Sequence, residues 1–251
     1  MKNYLLRIEY IGRGFYGFQK QKDLPTVQGT IEDALSMILR KPITVNGASR
    51  TDRGVNALNQ YVNFYFEDPI DTNILNKRLN SLLLTKGIIV KEVKEVNMQF
   101  HPRKSSKGKI YAYFLSRAPE KELFLVPYVY FYHGNMDKRL LRIAAEGLKG
   151  KHNFSIFASK DKSQPFRNNV CNLFEVNFIE KNNLLILYFW GDRFLYHMVR
   201  RMVYYLIKAG TGAIREEYLK MPFKIEHLPY TRQVLPPEPL FLVNVLYDAH
   251  F

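Results

Sequence analysis

Residues 59–66 read Asn-Gln-Tyr-Val-Asn-Phe-Tyr-Phe and form the clearest strand pattern in this chain. From Tyr61 onward, Val or Phe alternates with Tyr or Asn, so the two sets of side chains point to opposite faces of an extended backbone. Such alternation is typical of a strand that buries one face. The elements predicted on either side of this strand therefore decide the fold class.

The first half of the chain alternates strand and helix patterns. We predict that Asp71 is the N-cap of one helix, and apolar residues at helical spacing predict a second helix. In order, the predicted elements are a strand at 4–10, a helix at 27–39, strands at 43–48 and 59–66, a helix from Asp71 through Leu83, and a strand at 88–96. The order β-α-β-β-α-β is that of ferredoxin-like folds.

The second half repeats this order more loosely, without a residue-level repeat. Its predicted elements are strands at 108–116 and 127–133, a helix capped by Asp137 with Gly150 at its end, strands at 170–179 and 184–190, a helix at 193–208, and a strand at 240–247. We therefore expect an α+β fold with two ferredoxin-like (RRM-like) halves, residues 1–103 and 104–251. Their antiparallel sheets would join, with helices on one side and an active cleft between the halves.

The net charge of the chain points to a polyanionic partner. The 251 residues include 37 Lys and Arg against 23 Asp and Glu, a formal net charge of +14. The excess is spread along segments with apolar periodicity, so it belongs to a folded surface rather than to a tail. RNA or DNA is favoured over a membrane surface, and a basic protein without such a partner is the alternative.

Cysteine and histidine usage argues against a disulfide or metal site. Cys171 is the single cysteine and lies in an apolar run, as expected of a small core residue. The six histidines show no metal-ligand spacing. No apolar run reaches the length of a membrane span, and no leader pattern precedes the first strand. We expect no cofactor, no metal, no membrane association and a cytoplasmic location.

The turn Arg50-Thr51-Asp52-Arg53-Gly54 places one carboxylate between two arginines. Neighbouring cations favour the ionised form of an Asp, and an ionised Asp can act as a nucleophile or base. On a second interpretation the arginines serve an anionic ligand such as a phosphodiester. A structural ion pair on a turn explains the same pattern equally well.

The glycines of Gly12-x-Gly14-x-x-Gly17 match the dinucleotide-binding pattern and follow a predicted strand. That pattern needs a helix N-terminus directly after it to hold a pyrophosphate, and the residues that follow do not open a helix. A turn with several positive-φ positions is the better interpretation.

The basic run at 101–109, which includes Arg103, leads into Tyr111 and Tyr113. Cations that meet phosphates and rings that stack on bases suit RNA. The two tyrosines share one face of the predicted strand by period. Core tyrosines on an ordinary strand are the alternative.

Arg200 and His197 lie on the most apolar predicted helix, at 193–208. Arg200 is near the edge of the inward stripe, where an arginine needs a carboxylate or phosphate partner. His197 is more often a structural residue than a catalyst in such a position.

Together these residues resemble the TruA-type tRNA pseudouridine synthases, nearly from end to end. No single short match decides the resemblance, but the matches keep their order and spacing across the chain. They are Tyr10-x-Gly12-x-x-Phe15-x-Gly17-Phe18-Gln19, Thr26-Val27-Gln28-Gly29, Arg50-Thr51-Asp52-x-Gly54-Val55-x-Ala57-Leu58, Phe100-His101-x-Arg103, Tyr111-x-Tyr113, His152-x-Phe154-x-x-Phe157, Phe194-Leu195-x-His197-Met198-Val199-Arg200, Gly210-x-Gly212 and Pro236-Pro237-x-x-Leu240.

The resemblance implies an isomerase that converts uridine to pseudouridine at positions 38, 39 and 40 of the tRNA anticodon stem-loop, as a homodimer and without a cofactor. Asp52 would be the nucleophile, attacking C1′ of the sugar or the base. Tyr111 would stack on the flipped base, Arg200 would pair with Asp52, and Arg50 would help to extrude the base. Arg53, His197 and Arg103 complete the expected substrate-binding set.

Two signature positions depart from the family pattern. The family usually has Ala after the Asp and His three residues further on, where this chain has Arg53 and Asn56. Tyr196 likewise stands where many members have a second His. Arg53 would either lower the nucleophilicity of Asp52 or contact a phosphate, and the residues alone do not decide which.

Two other functions also fit parts of the sequence. A non-catalytic RRM-like RNA-binding module would use Tyr111, Tyr113 and the run at 101–109 without needing Asp52. A glycosidase normally needs a second carboxylate as acid, and no adjacent acidic motif offers one. The isomerase is therefore the favoured hypothesis.

Overall fold

The computed structural model describes residues 1–160 and 168–248. The chain divides into two compact units, Met1–Lys109 with the residues from Phe241 onward, and Ile110–Leu240. Each unit combines helices with mostly antiparallel strands, which confirms the α+β class. The domain boundary between residues 103 and 104 is not tested by this grouping and stays a prediction.

The first unit is built on three long antiparallel strands and two helices. Its elements are β1 (Lys2–Tyr10), α1 (Val27–Leu39), β2 (Asn46–Gly47), β3 (Asn56–Phe66), α2 (Thr72–Leu83), a 3-10 turn (Leu84–Lys86) and β4 (Ile88–Val96). Strand β1 pairs antiparallel with both β3 and β4. The short β2 also pairs antiparallel with β3, and the last strand, Leu240–Leu246, pairs parallel with the start of β3.

Strand β3 keeps the alternation that the sequence predicts. Val62, Phe64 and Phe66 are buried, whereas Tyr65 is exposed. Asn63 is the exception, because it is a polar residue that is completely buried. Its amide donates a hydrogen bond of 2.7 Å to the Asn3 side chain, so the buried polar group is satisfied.

The second unit has its own strands and helices. Its elements are β5 (Gly108–Ser116), β6 (Tyr130–Phe131), α3 (Lys138–Gly147), β7 (Gly150–Asn153), a 3-10 turn (Phe154–Phe157), β8 (Val170–Lys181), β9 (Leu184–Gly191), α4 (Met198–Gly210), α5 (Glu216–Lys220) and a 3-10 turn (Pro222–Lys224). The last strand of the chain, Leu240–Leu246, is β10, and from Phe241 onward it belongs to the first unit. Strands lie in the order β5-β9-β8-β7, and β8 pairs antiparallel with β7 and β9.

The predicted helix caps are confirmed. The Asp71 carboxylate accepts hydrogen bonds of 2.9 Å from the Asn73 and Ile74 N–H groups at the start of α2. Asp137 does the same for α3, accepting from Arg139 at 2.7 Å and Leu140 at 3.3 Å. Each cap satisfies N–H groups that a helix leaves unpaired at its first turn.

The largest difference from the predicted elements is the start of α4. The sequence predicts a helix from residue 193, but α4 begins at Met198. His197 adopts a φ of 62°, a left-handed conformation that a right-handed helix cannot contain. The predicted strands at 43–48 and 127–133 are each reduced to two residues, β2 and β6, and the four-residue β7 was not predicted.

Candidate active site

Asp52 lies on the connection between β2 and β3, and this connection is a tight turn. The Asp52 carbonyl accepts a hydrogen bond of 3.2 Å from the Val55 N–H. Gly54 has a φ of 81°, in the region that favours glycine. Asp52 is half-buried, between buried Thr51 and exposed Arg53. The turn therefore holds a partly accessible carboxylate on a constrained backbone.

Thr51 fixes this turn through both its backbone and its side chain. Its carbonyl accepts a hydrogen bond of 3.0 Å from the Phe18 N–H. Its hydroxyl shares a hydrogen bond of 2.7 Å with the Tyr10 hydroxyl, and both groups are buried. Because Thr51 directly precedes Asp52, these two bonds set the position from which the Asp52 side chain projects.

Glycines let the segment at 12–17 approach the turn. A Cβ atom on Gly12 would lie 2.2 Å from the Val55 carbonyl oxygen, so only glycine fits there. A Cβ on Gly17 would lie 3.0 Å from the Thr51 carbonyl oxygen, and Gly17 also has a φ of 94°. Gly14 has a φ of 96°. The prediction of a turn with positive-φ positions is confirmed at Gly14 and Gly17, whereas Gly12 serves a close backbone approach.

Gln60 holds the other side of the turn. Its side chain is completely buried in β3. Its amide nitrogen donates to the Ser49 carbonyl at 2.7 Å, and its amide oxygen accepts from the Ser49 N–H at 3.1 Å. Ser49, the residue before Arg50, is therefore bonded through its N–H and its carbonyl to one side chain of β3, much as it would be to the backbone of a neighbouring strand. Gln60 was not among the predicted site residues, although a Gln in an alternating strand is a signal for such a role.

The two residues that depart from the family pattern have identifiable partners. The Asn56 side-chain oxygen accepts a hydrogen bond of 2.8 Å from the Gly12 N–H, and both residues are buried. The Arg53 guanidinium lies over the Tyr16 ring, with its carbon 4.2 Å from the ring centre. Asn56 thus joins the turn to the glycine segment, and Arg53 is directed to Tyr16.

Tyr111 and Tyr113 are both buried on β5. The Tyr111 ring meets the Phe194 ring edge-on, with centres 5.0 Å apart and planes 78° apart. The Tyr113 hydroxyl donates to the Pro236 carbonyl at 3.1 Å, and burial raises the pKa of that hydroxyl far above its usual value. Tyr113 is therefore a core residue, as one of the two interpretations expected.

His197 and Arg200 lie at the first turn of α4. The His197 ring nitrogen Nδ1 is 2.9 Å from the Ser159 hydroxyl, and the Tyr196 ring stacks on the imidazole with centres 3.8 Å apart. Arg200 is half-buried, and its Nε donates to the Leu235 carbonyl at 2.6 Å. This bond restrains the orientation of the guanidinium.

The environment of His197 favours its neutral form. Burial, followed by the charges of Arg200 and Arg201, lowers the pKa of His197 to about 4 from an ordinary value of 6.5. Between these two pH values the unfolded chain binds more protons than the folded chain. The stability that depends on neutral His197 is therefore lost as the pH falls from 6.5 towards 4.

His197→Asn removes this titration while keeping a residue that tolerates a positive φ. Between pH 7 and pH 4, the unfolding free energy of the wild type is expected to fall by about 2 kcal/mol more than that of the variant. Urea unfolding at both pH values measures the difference. His227→Asn is the control, because His227 is 87% exposed. Equal pH dependence in His197→Asn and the wild type would contradict the burial effect.

Arg103 is exposed on the loop between β4 and β5. Its N–H donates to the His101 Nδ1 at 3.2 Å, and the neighbouring Pro102 carbonyl accepts from the Tyr247 hydroxyl at 2.9 Å. Residues 101–107 of the basic run therefore form an anchored loop, and the last two residues of the run begin β5.

The predicted site residues fall into local groups. In the first unit, Arg50, Asp52 and Arg53 share one turn, and Arg103 lies on a separate loop. In the second unit, His197 and Arg200 share the start of α4. Phe194, a few residues before α4, carries the ring against which Tyr111 packs. The contacts missed from the sequence join residues far apart along the chain, such as Tyr10 with Thr51.

The described residues offer neither a membrane-spanning helix nor a cluster of metal ligands. Across residues 1–160 and 168–248, no helix combines the length and apolar character needed to cross a membrane. In the same part of the chain, His, Cys, Asp and Glu side chains form no group of three placed to hold a metal ion.

Comparison with known proteins gives matches along almost the whole chain. A sequence model of a family described as tRNA pseudouridine synthase matches residues 7–103 and 144–248. A protein of Aquifex aeolicus named tRNA pseudouridine synthase A is 36% identical over 247 residues, covering 98% of this chain and all of its own length. A protein of the same name from Caldicellulosiruptor bescii is 32% identical over 249 residues, with 98% of this chain and all of its own covered.

Proposed function

This chain belongs to the tRNA pseudouridine synthase family and is an isomerase, and from that premise we propose that Asp52 is the nucleophile with which it converts uridine to pseudouridine in tRNA. The observation that carries the proposal is the turn of Asp52. Asp52 is partly accessible, its carbonyl accepts a hydrogen bond from Val55, and Thr51 directly before it is bonded to buried Tyr10 and Phe18. A nucleophile held in this way is already positioned for attack.

The reaction is an internal exchange of bonds. Asp52 attacks C1′ of the ribose or the uracil base, and the bond between C1′ and N1 breaks. Uracil turns within the site, C5 bonds to C1′ as the bond between Asp52 and the substrate breaks, and the proton on C5 is lost while N1 regains one. Because product and substrate have the same atoms and oxidation state, the reaction needs no oxidant, reductant or energy donor.

We assign the other predicted residues by the same family pattern. Arg50, exposed directly before Thr51, takes part in extruding the target base or in holding phosphate. Tyr111 presents its ring to the extruded base, with Phe194 holding the ring from one side. Arg200 orients Asp52 and keeps it ionised, and Arg103 and His197 contact the tRNA.

The substrate we propose is the tRNA anticodon stem-loop, at positions 38, 39 and 40, with the chain acting as a homodimer in the cytoplasm. The formal net charge of +14 supplies the attraction for the phosphate backbone. We propose that both halves are ferredoxin-like. The strand order β4-β1-β3, with β2 also on β3, supports this for the first unit.

Tritium release from tRNA labelled with [5-³H]uridine tests the proposed function, because the C5 proton is lost only when C5 bonds to the sugar. The purified chain is expected to release tritium without any added cofactor and to leave pseudouridine at positions 38, 39 and 40. Binding of tRNA without release would instead support a non-catalytic RNA-binding module. Free uracil as the product would support a glycosidase.

Arg200→Met tests the orienting role of Arg200. The variant keeps a long side chain but loses the charge, and kcat is expected to fall by about a hundredfold with KM changed by less than about threefold. Arg142→Met is the matched control, because Arg142 is an exposed arginine of the same unit. A rise in KM with kcat retained at saturation would make Arg200 a phosphate contact instead.

A further inference from the structure

Arg53 is an exposed cation that the protein holds against a ring. The carbon of its guanidinium lies 4.2 Å from the centre of the Tyr16 ring. Tyr16 is itself 37% exposed, so the pair lies at the surface of the first unit. Stacking on an aromatic face restrains a side chain that is otherwise flexible.

Tyr16 is a firm support for this contact. Its N–H donates to the Pro25 carbonyl at 2.8 Å, and its carbonyl accepts from the Gln21 side chain at 2.7 Å. The neighbours of Tyr16 on both sides, Phe15 and Gly17, are buried. The ring therefore projects from a segment whose backbone is fixed by hydrogen bonds. Its contact with Arg53 restrains the position of the guanidinium.

The side chain of Arg53 is exposed, and it contacts the Tyr16 ring. Its ring contact covers one face of the guanidinium only. The five N–H donors lie in the plane of the group and point outward from its edge. An arginine with a covered face and open edge suits the paired oxygens of a phosphate.

We propose that Arg53, held on Tyr16, binds a backbone phosphate of the substrate RNA beside the target uridine. The inference rests on the proposed function and resolves the choice that the sequence leaves open. The other role, lowering the nucleophilicity of Asp52, would require Arg53 to act on the carboxylate. Its guanidinium is instead engaged with Tyr16.

Arg53→Ala is the direct test, measured with tRNA carrying the target uridines. Dissociation constants are measured in an Asp52→Asn background, in which the substrate stays unmodified, and are expected to rise by about tenfold. The slope of log affinity against log salt is expected to fall by about 0.7 to 0.9, the loss of one phosphate contact. In the active protein KM rises, whereas kcat at saturation and its pH profile stay at the wild-type values.

Tyr16 variants separate the placement of Arg53 from its charge. Tyr16→Leu is expected to weaken binding by a few-fold with an unchanged salt slope, because the cation remains but loses its support. Tyr16→Phe keeps the ring and is expected to bind as the wild type does. Circular dichroism on each variant checks that the fold is retained.

Lys41→Ala is the matched control for charge alone. The Lys41 ammonium lies 5.6 Å from the centre of the Phe66 ring, so it is also a cation placed on an aromatic residue, and it forms an ion pair of 2.6 Å with Glu67. Phe66 ends β3, whereas the turn of Asp52 precedes its first residue, Asn56. The length of the strand, about 33 Å, separates the two pairs. Lys41→Ala is expected to leave affinity and salt slope unchanged.

Three results would overturn the inference. The first is unchanged affinity and salt slope in Arg53→Ala. The second is a lower kcat or a shifted pH profile with unchanged affinity, which would assign Arg53 to Asp52. The third is an equal loss of salt slope in Lys41→Ala. Failure of the proposed function differs from all three, because the wild type itself would then release no tritium.

Discussion

Asp52→Asn is expected to abolish tritium release, lowering turnover by at least about 10⁴-fold. The change keeps the size and shape of the side chain and removes only the negative charge that makes the carboxylate a nucleophile. The Asp52 backbone and Thr51 both make hydrogen bonds that shape the turn and that this change leaves in place, so the turn is expected to persist. Affinity for tRNA is expected to stay the same or to increase slightly, since one negative charge near the RNA is lost.

The matched control is Asp33→Asn. Asp33 is an exposed carboxylate on α1 of the same unit, so its loss changes the net charge by the same amount. Its turnover and its affinity for tRNA are expected to match those of the wild type. Turnover retained in Asp52→Asn would reject Asp52 as the nucleophile, and equal losses in both variants would reject a specific role for its charge.

Among glycine-to-alanine changes in the first unit, Gly12→Ala is expected to lower stability and turnover the most. The new Cβ would lie 2.2 Å from the Val55 carbonyl oxygen and 2.6 Å from the Gly54 carbonyl carbon. Both are backbone atoms of the turn that carries Asp52, so the turn has to move. We expect an unfolding free energy lower by about 2–3 kcal/mol. Turnover is expected to fall by about a hundredfold, because a displacement of about 1 Å at a reacting group has that effect.

Gly14→Ala supplies the comparison. Gly14 lies two residues away with a φ of 96°, and a Cβ added there would meet nothing within 4 Å. The substitution is therefore unfavourable only because alanine has to adopt a left-handed backbone conformation, which lowers the unfolding free energy by about 1–2 kcal/mol. Turnover is expected to stay close to that of the wild type. Urea unfolding and tritium release on the two variants measure both quantities. Wild-type turnover in Gly12→Ala would show that the approach of this segment to the turn is unimportant for catalysis.

Elements with a local signal were predicted closely. The helix at 27–39 and the strand at 88–96 match α1 and β4, and Asp71 and Asp137 cap the helices that they were expected to cap. Apolar periodicity and capping depend on residues within a few positions of each other. Such information is present in any short window of the sequence.

The start of α4 was predicted wrongly because apolar spacing continues where the helix does not. Phe194 and Leu195 fit the helical stripe, but His197 breaks it with a positive φ. Phe194 instead packs its ring against Tyr111 on β5. An apolar residue at helical spacing shows that a side chain is buried and does not show which element buries it.

The sequence by itself determined the α+β class, the family and the carboxylate on which the proposed chemistry depends, because these follow from short patterns in a fixed order. The tertiary structure decided how that carboxylate is held. The Tyr10 hydroxyl is hydrogen-bonded to Thr51, and the Arg53 guanidinium lies over the Tyr16 ring. Gly12 is hydrogen-bonded to the Asn56 side chain and packs closely against the Val55 backbone. Each contact joins segments separated along the chain, and pairs of this kind are set by the packing of strands and loops rather than by any local pattern.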